Sequence, residues 1–228
     1  MDSTVYSAPS DSKGPLPLIV ALHGRGDNGR NFLGGTGLVQ ANAVVVAPTG
    51  AGLAWAPAPY ALNTIEQDKA RIDDIIAQTS EHFDIDPERI YAVGFSNGGG
   101  LAVYLSTLSD TFAGVASVSA AVRCTEAQIE AAEPVDYLNI HGTHDDVVPY
   151  NGEVRTGYGS PAEDGILGAP EVVAAFERRN SDKARTLHHR VEGMGHEWPT
   201  GPWAAHRGID VTEEIFDFFG IEKRTDLF

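Results

Sequence analysis

The stretch Ile90-Tyr91-Ala92-Val93-Gly94-Phe95-Ser96-Asn97-Gly98 decides the fold of this chain. Its first four residues are apolar, as in a buried strand, and residues 101–108 are typical of a helix. Glycines on both sides of Ser96 let a strand and a helix approach closely around a sharp turn. Such a turn strains the serine backbone by about 1–3 kcal/mol, and strain of this kind usually persists where function requires it. The stretch therefore predicts a strand, a tight turn at Ser96 and a helix.

Short apolar runs and amphipathic segments alternate along the rest of the chain. The runs are continuous, which is typical of strands buried on both faces. Their alternation with helices predicts an α/β fold, with a mostly parallel central sheet that helices flank on both sides. The predicted strands cover residues 4–8, 18–22, 44–48, 90–93, 114–119, 137–141 and 186–191, and the predicted helices cover residues 64–83, 101–108, 170–180 and 210–219.

Two polar segments interrupt this pattern. Residues 23–29 contain three glycines and predict a loop, and residues 150–168 predict a second, longer loop. No internal repeat, low-complexity tract or linker divides the sequence. We therefore expect a single domain over residues 1–228.

Capping residues define the ends of two predicted helices. Asn63 with Glu66 three residues later predicts a capping box at the start of the helix over 64–83. Asp210 with Glu213 predicts the start of the last helix, which we expect to stop at a glycine just after it.

Composition limits the partners and the compartment. The formal net charge of −16 argues against nucleic acid and anionic membranes as partners. No apolar run approaches the roughly 20 residues that cross a bilayer, so we expect no membrane insertion. No basic region followed by an apolar stretch is visible at the N-terminus, so the chain is expected to be cytoplasmic if it is full length and secreted if it is a mature form. The single cysteine, Cys124, is expected to be a buried or incidental thiol.

A serine hydroxyl becomes a nucleophile when a base takes its proton and a third group orients that base. After Ser96, the strand over 137–141 runs into a turn that contains Asp145 and Asp146, and the spacing alone leaves the choice between them open. His196 lies in a glycine-flanked loop just after the last predicted strand, and His206 is the reserve candidate. The chain order of serine, acid and histidine is that of the α/β-hydrolases.

Two further histidines, His188 and His189, lie within the last predicted strand and should point to opposite faces, so we interpret both as structural or surface residues. The histidines at the ends of two earlier strands, His23 and His141, are also expected to be structural.

The reaction of an ester also requires backbone N–H donors for the oxyanion. The residue after the nucleophile supplies one, here Asn97, and the loop after the first parallel strand supplies the other, here Arg25. No H-E-x-x-H motif, paired cysteines or phosphate loop is present, so we expect no metal and no cofactor.

Several motifs together resemble a known family. Residues 94–99, 141–150, 195–199 and 209–219 look like the α/β-hydrolase esterases that include poly(3-hydroxybutyrate) depolymerases and feruloyl esterases. The loop over 23–29 and the phrase Gly193-Met194-Gly195-His196-Glu197 look more like the carboxylesterase/phospholipase family that includes acyl-protein thioesterases.

The resemblance implies an α/β-hydrolase fold and assigns the acid. The acid of the family's His-Gly-x-x-Asp motif maps to Asp145. The segment before the first parallel strand is short, so we expect the antiparallel strands that usually open this fold to be reduced to one.

The resulting hypothesis is a cofactor-independent serine ester hydrolase that acts on a small-molecule or oligomeric ester. A feruloyl, aryl or short hydroxyacyl ester is the expected substrate, and a phospholipase or acyl-thioesterase type of carboxylesterase is the alternative. A hydrolase fold used only for binding is the alternative from another class. Oligomeric state cannot be read from the residues. Five loop aromatics are expected to ring the active-site face and to line a substrate pocket: Trp55, Tyr60, Tyr150, Trp198 and Trp203.

Overall fold

The computed structural model describes residues 4–10, 14–155 and 164–226. Its strands are β1 (Val5–Ser7), β2 (Leu16–Leu22), β3 (Val44–Ala47), β4 (Ile85–Phe95), β5 (Gly114–Val118), β6 (Asp136–Gly142), β7 (Glu153–Arg155), β8 (Asp164–Ile166) and β9 (Thr186–Val191). Its α-helices are α1 (Gly29–Thr36), α2 (Ile65–His82), α3 (Ser96–Leu105), α4 (Glu126–Glu130), α5 (Ala169–Asn180) and α6 (Val211–Phe219). Short 3₁₀ helices cover Leu38–Gln40, Ala51–Leu53 and Gly201–His206.

A central sheet of seven strands has the order β1-β3-β2-β4-β5-β6-β9. Strand β1 pairs antiparallel with β3, and every other neighbouring pair in this sheet is parallel. The predicted α/β fold with a mostly parallel sheet is therefore confirmed. Within the described residues, β1 is the one antiparallel strand of this sheet, as the short N-terminal segment predicted.

Apolar side chains pack on both faces of the sheet because successive residues of a strand point to opposite sides. Along β2, Leu18, Val20 and Leu22 face one core and Ile19 and Ala21 face the other. The first core also holds side chains of α2, α3 and α5, and the second holds side chains of α1 and α6. Helices thus flank the sheet on both sides. Because β2, β3, β4, β5, β6 and β9 run parallel, their carboxyl ends lie at one edge of the sheet.

Two predicted helix boundaries shift in the structure. The cap of α2 is Thr64, whose side chain accepts the N–H of Gln67, so the predicted box at Asn63 and Glu66 was wrong by one residue. Thr64 has the extended backbone that a cap requires, whereas Asn63 Nδ2 donates to Asp68 at 2.7 Å. Helix α3 begins at Ser96 itself and ends at Leu105, three residues before the predicted end.

The last helix follows its prediction. Asp210 Oδ1 accepts the N–H groups of Thr212 and Glu213, and Gly220 ends α6 in the left-handed conformation.

Two helices and a pair of short strands were missing from the prediction. Helix α1 follows the glycine-rich loop, because Asn28 caps it and the N–H of Asn31 donates to that cap. Helix α4 is only one turn long, and its capping residue is Thr125. Strands β7 and β8 form a hairpin within the segment predicted as a loop, while residues 156–163 of that segment lie outside the described residues.

Candidate active site

Ser96 occupies the turn between β4 and α3 with a φ of 53°. This left-handed conformation is rare for a residue with a side chain and stores strain. Packing around the turn is so tight that only glycine fits beside it: a Cβ at Gly98 would lie 2.2 Å from the carbonyl oxygen of Leu22, and one at Gly94 would lie 2.3 Å from that of Gly98. The Ser96 side chain is therefore carried by a rigid, close-packed turn at the end of β4.

Asp145 and His196 form a hydrogen bond, with 2.8 Å between His196 Nδ1 and Asp145 Oδ2. Asp145 lies in the turn after β6, and His196 lies in the loop after β9, the neighbouring strand. Of the two acids between which the spacing left the choice open, Asp145 is the one bonded to His196, whereas Asp146 is exposed.

The carboxylate of Asp145 is held from several sides. Its Oδ1 accepts the N–H groups of Val147 at 3.0 Å and Val148 at 2.8 Å. Burial by itself would raise the pKa of Asp145, but hydrogen bonds from His141, His196 and the Val148 N–H outweigh burial and hold the pKa well below its usual range. Asp145 is therefore an anion that can orient and stabilise an imidazolium.

His196 lies beside the serine turn. Its ring packs against Phe95, the residue before Ser96, with 4.7 Å between ring centroids, and its side chain is 15% exposed. With Nδ1 bonded to Asp145, Nε2 is the ring nitrogen that can exchange a proton. The reserve candidate His206 lies on the 3₁₀ helix Gly201–His206, and its ring lies tilted against that of Trp203 with 5.5 Å between ring centroids.

The two predicted oxyanion donors lie on segments that adjoin Ser96. A Cβ at Gly24, the neighbour of Arg25, would lie 3.4 Å from Ser96 Cβ. Asn97 is the second residue of α3, so its N–H belongs to the first turn of the helix, where N–H groups lack intrahelical acceptors. Both N–H groups are thus carried by backbone next to the serine.

Sequence reasoning underestimated His141. The residue is buried at the end of β6, where its Nε2 lies 2.9 Å from the Val148 carbonyl oxygen and 3.4 Å from Asp145 Oδ2. A donor on Nε2 therefore supports both the acid and the turn that carries it. The His-Gly-x-x-Asp spacing was the signal for this contact.

His188 and His189 face opposite sides of β9, as predicted. His188 Nε2 lies 2.7 Å from the Tyr150 hydroxyl, and His189 Nε2 lies 3.0 Å from Glu214 Oε2 on α6. Burial lowers the pKa of His188, so its neutral form is favoured.

One of the five loop aromatics, Trp55, packs in the interior. Trp55 is completely buried, its Nε1 donates to the His23 carbonyl at 3.0 Å, and its backbone bonds to the Asn97 side chain. The prediction that Trp55 lines a substrate pocket was therefore wrong, because the side chain contributes to the core beneath the site. Trp198 is half-buried, and its Nε1 donates to Thr212 Oγ1 at 2.9 Å.

The other three aromatics are nearer the surface. The guanidinium of Arg25 lies over the ring of Tyr60 at 4.1 Å from its centroid. Tyr150 stands edge-on to His141, with 5.7 Å between ring centroids. Trp203 is 52% exposed, and its Nε1 donates to Glu197 Oε2 at 2.9 Å.

Two other kinds of reactive site are a metal centre and a nucleophilic thiol. In the described part of the chain, no group of three His, Cys, Asp or Glu side chains is arranged to hold a metal ion. Cys124 is buried, and burial raises the pKa of its thiol to about 12, so the nucleophilic thiolate is absent near neutral pH. Among the described helices, none is both long and apolar enough to cross a membrane.

Solved structures with the same arrangement of sheet and helices identify the fold. Esterase PE8 is 20% identical and superposes with a TM-score of 0.67 over 95% of this chain and 99% of its own. Acyl-protein thioesterase 2 of Zea mays is also 20% identical, with a TM-score of 0.64 over 96% of this chain and 100% of its own. The chain has the α/β-hydrolase fold.

Sequence comparisons relate this chain to ester hydrolases. The phospholipase/carboxylesterase family matches residues 54–157. Feruloyl esterase C of Emericella nidulans is 33% identical over 156 residues, which are 63% of this chain and 54% of that protein. The chain spans about half the length of the curated feruloyl esterases that it matches. The resemblance predicted from the motifs, with features of both families, is confirmed.

Proposed function

We propose that this α/β-hydrolase is a serine ester hydrolase that acts through Ser96, His196 and Asp145. The observation that carries the proposal is the 2.8 Å hydrogen bond between Asp145 Oδ2 and His196 Nδ1, formed beside a serine with a positive φ. Acid and base come from the ends of neighbouring strands, and the serine comes from a tight strand-to-helix turn, the arrangement that defines the nucleophile elbow and its partners. The relatedness to carboxylesterases and feruloyl esterases supports the same reaction.

The first half of the reaction forms an acyl-enzyme. Ser96 Oγ attacks the ester carbonyl carbon while His196 Nε2 takes the hydroxyl proton. The N–H groups of Arg25 and Asn97 donate to the oxyanion of the tetrahedral intermediate, and such donors are typically worth about 10²–10³ in rate each. The carbon–oxygen bond to the alcohol then breaks, and the alcohol leaves with the proton held by His196.

The second half returns the enzyme to its starting state. A water molecule gives its proton to His196 and attacks the acyl carbon, and the acid leaves as the bond to Ser96 Oγ breaks and that oxygen regains the proton. Throughout, Asp145 stays ionised and accepts a hydrogen bond from the Nδ1–H of His196, which leaves Nε2 directed to the reacting oxygen.

Labelling with a fluorophosphonate probe tests the reaction class, because the probe reacts with an activated serine. We expect labelling of the wild type, loss of labelling in Ser96→Ala, and undiminished labelling in the matched control Ser80→Ala, whose serine is exposed on α2. Absence of labelling in the wild type would favour a hydrolase fold used only for binding. Undiminished labelling of Ser96→Ala would assign the nucleophile to another residue.

We also propose the substrate class. The feruloyl esterase relatives support an aryl or short hydroxyacyl ester, of a small molecule or an oligomer, and the phospholipase/carboxylesterase match supports the alternative of a longer acyl ester or thioester. Methyl ferulate, 4-nitrophenyl esters of increasing acyl length and an acyl thioester form the panel that separates them. A kcat/KM that rises steadily with acyl length would favour the alternative.

A further inference from the structure

Two hydrogen bonds use both ring nitrogens of His23, the residue that follows β2. The Gly50 N–H donates to Nε2 at 2.9 Å, so Nε2 is the acceptor and carries no hydrogen. The hydrogen of the neutral ring is therefore on Nδ1, which donates to the Gly24 carbonyl oxygen at 2.7 Å. His23 is completely buried, and burial lowers the pKa of its side chain, which favours this neutral form. The ring thus connects the backbones of two loops.

The surroundings of His23 fix the position of its ring. The ring lies tilted against that of Trp55, with 5.1 Å between ring centroids, and Trp55 Nε1 donates to the His23 carbonyl at 3.0 Å. Gly50 is closely packed, because a Cβ there would lie 2.4 Å from the Ala54 carbonyl oxygen. His23 Nδ1 therefore donates to Gly24 from a rigid position in the core beneath the site.

The Gly24 carbonyl belongs to the same peptide group as the Arg25 N–H, one of the two proposed oxyanion donors. This peptide group is planar and trans, so its C=O and its N–H point in opposite directions. A hydrogen bond to the Gly24 carbonyl therefore also sets the direction of the Arg25 N–H. The Asp27 N–H donates to the same carbonyl at a longer 3.2 Å. Among the described residues, the Arg25 N–H has no acceptor of its own, so it remains available for an oxyanion.

The glycines on either side of Arg25 make this peptide group easy to rotate. Gly24 and Gly26 reach backbone conformations that other residues avoid, and Gly26 has a φ of 80°. Rotation of the Gly24–Arg25 peptide by half a turn would exchange the directions of its C=O and N–H groups. A carbonyl oxygen would then lie where the N–H lies now, and it would repel an oxyanion. The hydrogen bond from His23 opposes this rotation, because the rotation would break it.

We infer that His23 is a positioning residue for the reaction, and that its Nδ1–H holds the Gly24–Arg25 peptide with the Arg25 N–H facing the developing oxyanion. The inference rests on the proposed function and deepens it, because it explains how one oxyanion donor is oriented before the substrate binds. It adds a role in the reaction to the structural role that the sequence predicted for His23.

Two amide substitutions separate the two nitrogens of the ring. In His23→Asn, the side-chain N–H lies near the position of Nδ1 and can still donate to the Gly24 carbonyl, but the acceptor of the Gly50 N–H is lost. In His23→Gln, the longer side chain reaches the position of Nε2 and can still accept from Gly50, but the donor to Gly24 is lost. Each variant breaks one buried hydrogen bond, so both should lower the melting temperature.

Hydrolysis of 4-nitrophenyl acetate measures the effect on the reaction, at a temperature where each variant is folded and after subtraction of the rate with Ser96→Ala. His23→Gln should lower kcat about tenfold or more, towards the roughly 10²–10³ of a complete oxyanion donor, whereas His23→Asn should stay within about threefold of the wild type. KM should change little in both, because the oxyanion donors act in acylation and in deacylation alike.

Inhibition by phenylboronic acid supplies a second measurement that a merely structural role would not change. Its tetrahedral adduct with a nucleophilic serine places an oxygen at the oxyanion position. The inhibition constant should therefore rise in His23→Gln in parallel with the loss of kcat and stay near the wild-type value in His23→Asn. The matched control is Asn180→Ala, which removes buried hydrogen bonds to the backbone of Val135 before β6, at the opposite end of the sheet. It should lower the melting temperature and leave kcat and the inhibition constant unchanged.

Equal losses of kcat in His23→Asn and His23→Gln, or wild-type values in both, would overturn the inference. His23→Asn also tests it alone: a folded His23→Asn whose kcat falls tenfold or more would overturn the inference even if His23→Gln did not fold. If Ser96→Ala remained active, the proposed function itself would fail, so the two failures are distinguishable.

Discussion

The side-chain amide of Asn97 bonds at both ends to the backbone of Trp55. Asn97 Oδ1 accepts the Trp55 N–H at 2.7 Å, and Nδ2 donates to the Trp55 carbonyl at 3.0 Å. Trp55 in turn donates to the His23 carbonyl, so the residue after Ser96 connects α3 to the two loops that carry Tyr60 and Arg25. All of these groups are buried, and the bonds therefore determine where the loops sit relative to the serine.

Replacing Asn97 should destabilise the protein. Asn97→Ala leaves a buried N–H and a buried carbonyl unpaired, at about 1–3 kcal/mol each. For a chain of this size we expect the melting temperature to fall by roughly 5–15 °C. Asn97→Asp keeps the acceptor but sets an oxygen against the Trp55 carbonyl, so it should also lower the melting temperature. Asn31→Ala, an exposed position in α1, is the control. A wild-type melting temperature for Asn97→Ala would contradict this role.

Two glycine-to-alanine substitutions should have opposite effects. A Cβ at Gly98 would lie 2.2 Å and 2.4 Å from the carbonyl oxygens of Leu22 and His23, which are backbone atoms that cannot move aside cheaply. Gly98→Ala should cost about 1–3 kcal/mol or more and lower activity. Gly34→Ala lies in the exposed middle of α1 with nothing within 4 Å, and should stabilise the protein by roughly 0.5–1 kcal/mol. Thermal unfolding measures both; a neutral Gly98→Ala would refute the tight packing.

The Asp145 carboxylate should make stability depend on pH. Its pKa in the folded protein lies below the usual value of 3.8, so the unfolded chain binds the proton more readily. The stabilisation is therefore complete above about pH 5 and is lost as the pH falls through and below 4. We expect the difference in melting temperature between wild type and Asp145→Asn to be largest at neutral pH and to shrink on acidification. A difference that grows towards low pH would contradict the depressed pKa.

Asp145→Asn should also reduce turnover. An amide cannot stabilise the imidazolium and permits the wrong tautomer of His196, so under the proposed mechanism kcat should fall by roughly 10³–10⁴. The exposed neighbour supplies a matched control, because Asp146→Asn changes the same charge one residue away. Equal losses in the two variants would argue against the assignment of Asp145.

Removal of the His141 ring nitrogens should raise the pKa of Asp145. His141→Phe keeps a ring in the buried site but loses the donor to the Val148 carbonyl and to Asp145. The pKa of Asp145 should then rise towards its usual value, so the acid-induced loss of stability should begin at a higher pH than in the wild type. Thermal unfolding between about pH 3 and 7 measures this shift. A lower melting temperature with an unchanged pH profile would indicate a packing role only.

The thiol of Cys124 should be unreactive in the folded protein. It is 2% exposed, and its pKa of about 12 leaves almost no thiolate at pH 8. We expect no reaction with 5,5′-dithiobis(2-nitrobenzoate) in the native state and release corresponding to one thiol after unfolding in guanidinium chloride. Rapid native-state reaction would contradict the burial of this residue.

Much of the fold was predictable because its signals are local. Continuous apolar runs identified the parallel strands, and the boundaries of β9 were predicted without error. Helix α1 was missed because Gly34 and Gly35 weaken its local propensity, while packing of Phe32 and Leu33 against the second core stabilises it. The hairpin of β7 and β8 was missed because three-residue strands carry too few side chains to show alternation.

The sequence by itself determined the candidate chemistry, because parallel strands bring their carboxyl ends to one edge and the polar residues follow those ends in the required order. Ser96 and His196 could thus be named without coordinates, whereas the order left Asp145 and Asp146 open and only the family resemblance favoured Asp145. The tertiary structure decided what depends on contacts between distant segments: the burial of Trp55 against His23 and Asn97, and the contacts of Arg25 and Arg123 with the Tyr60 ring. Such contacts are set by how whole elements pack, and no local pattern of residues encodes them.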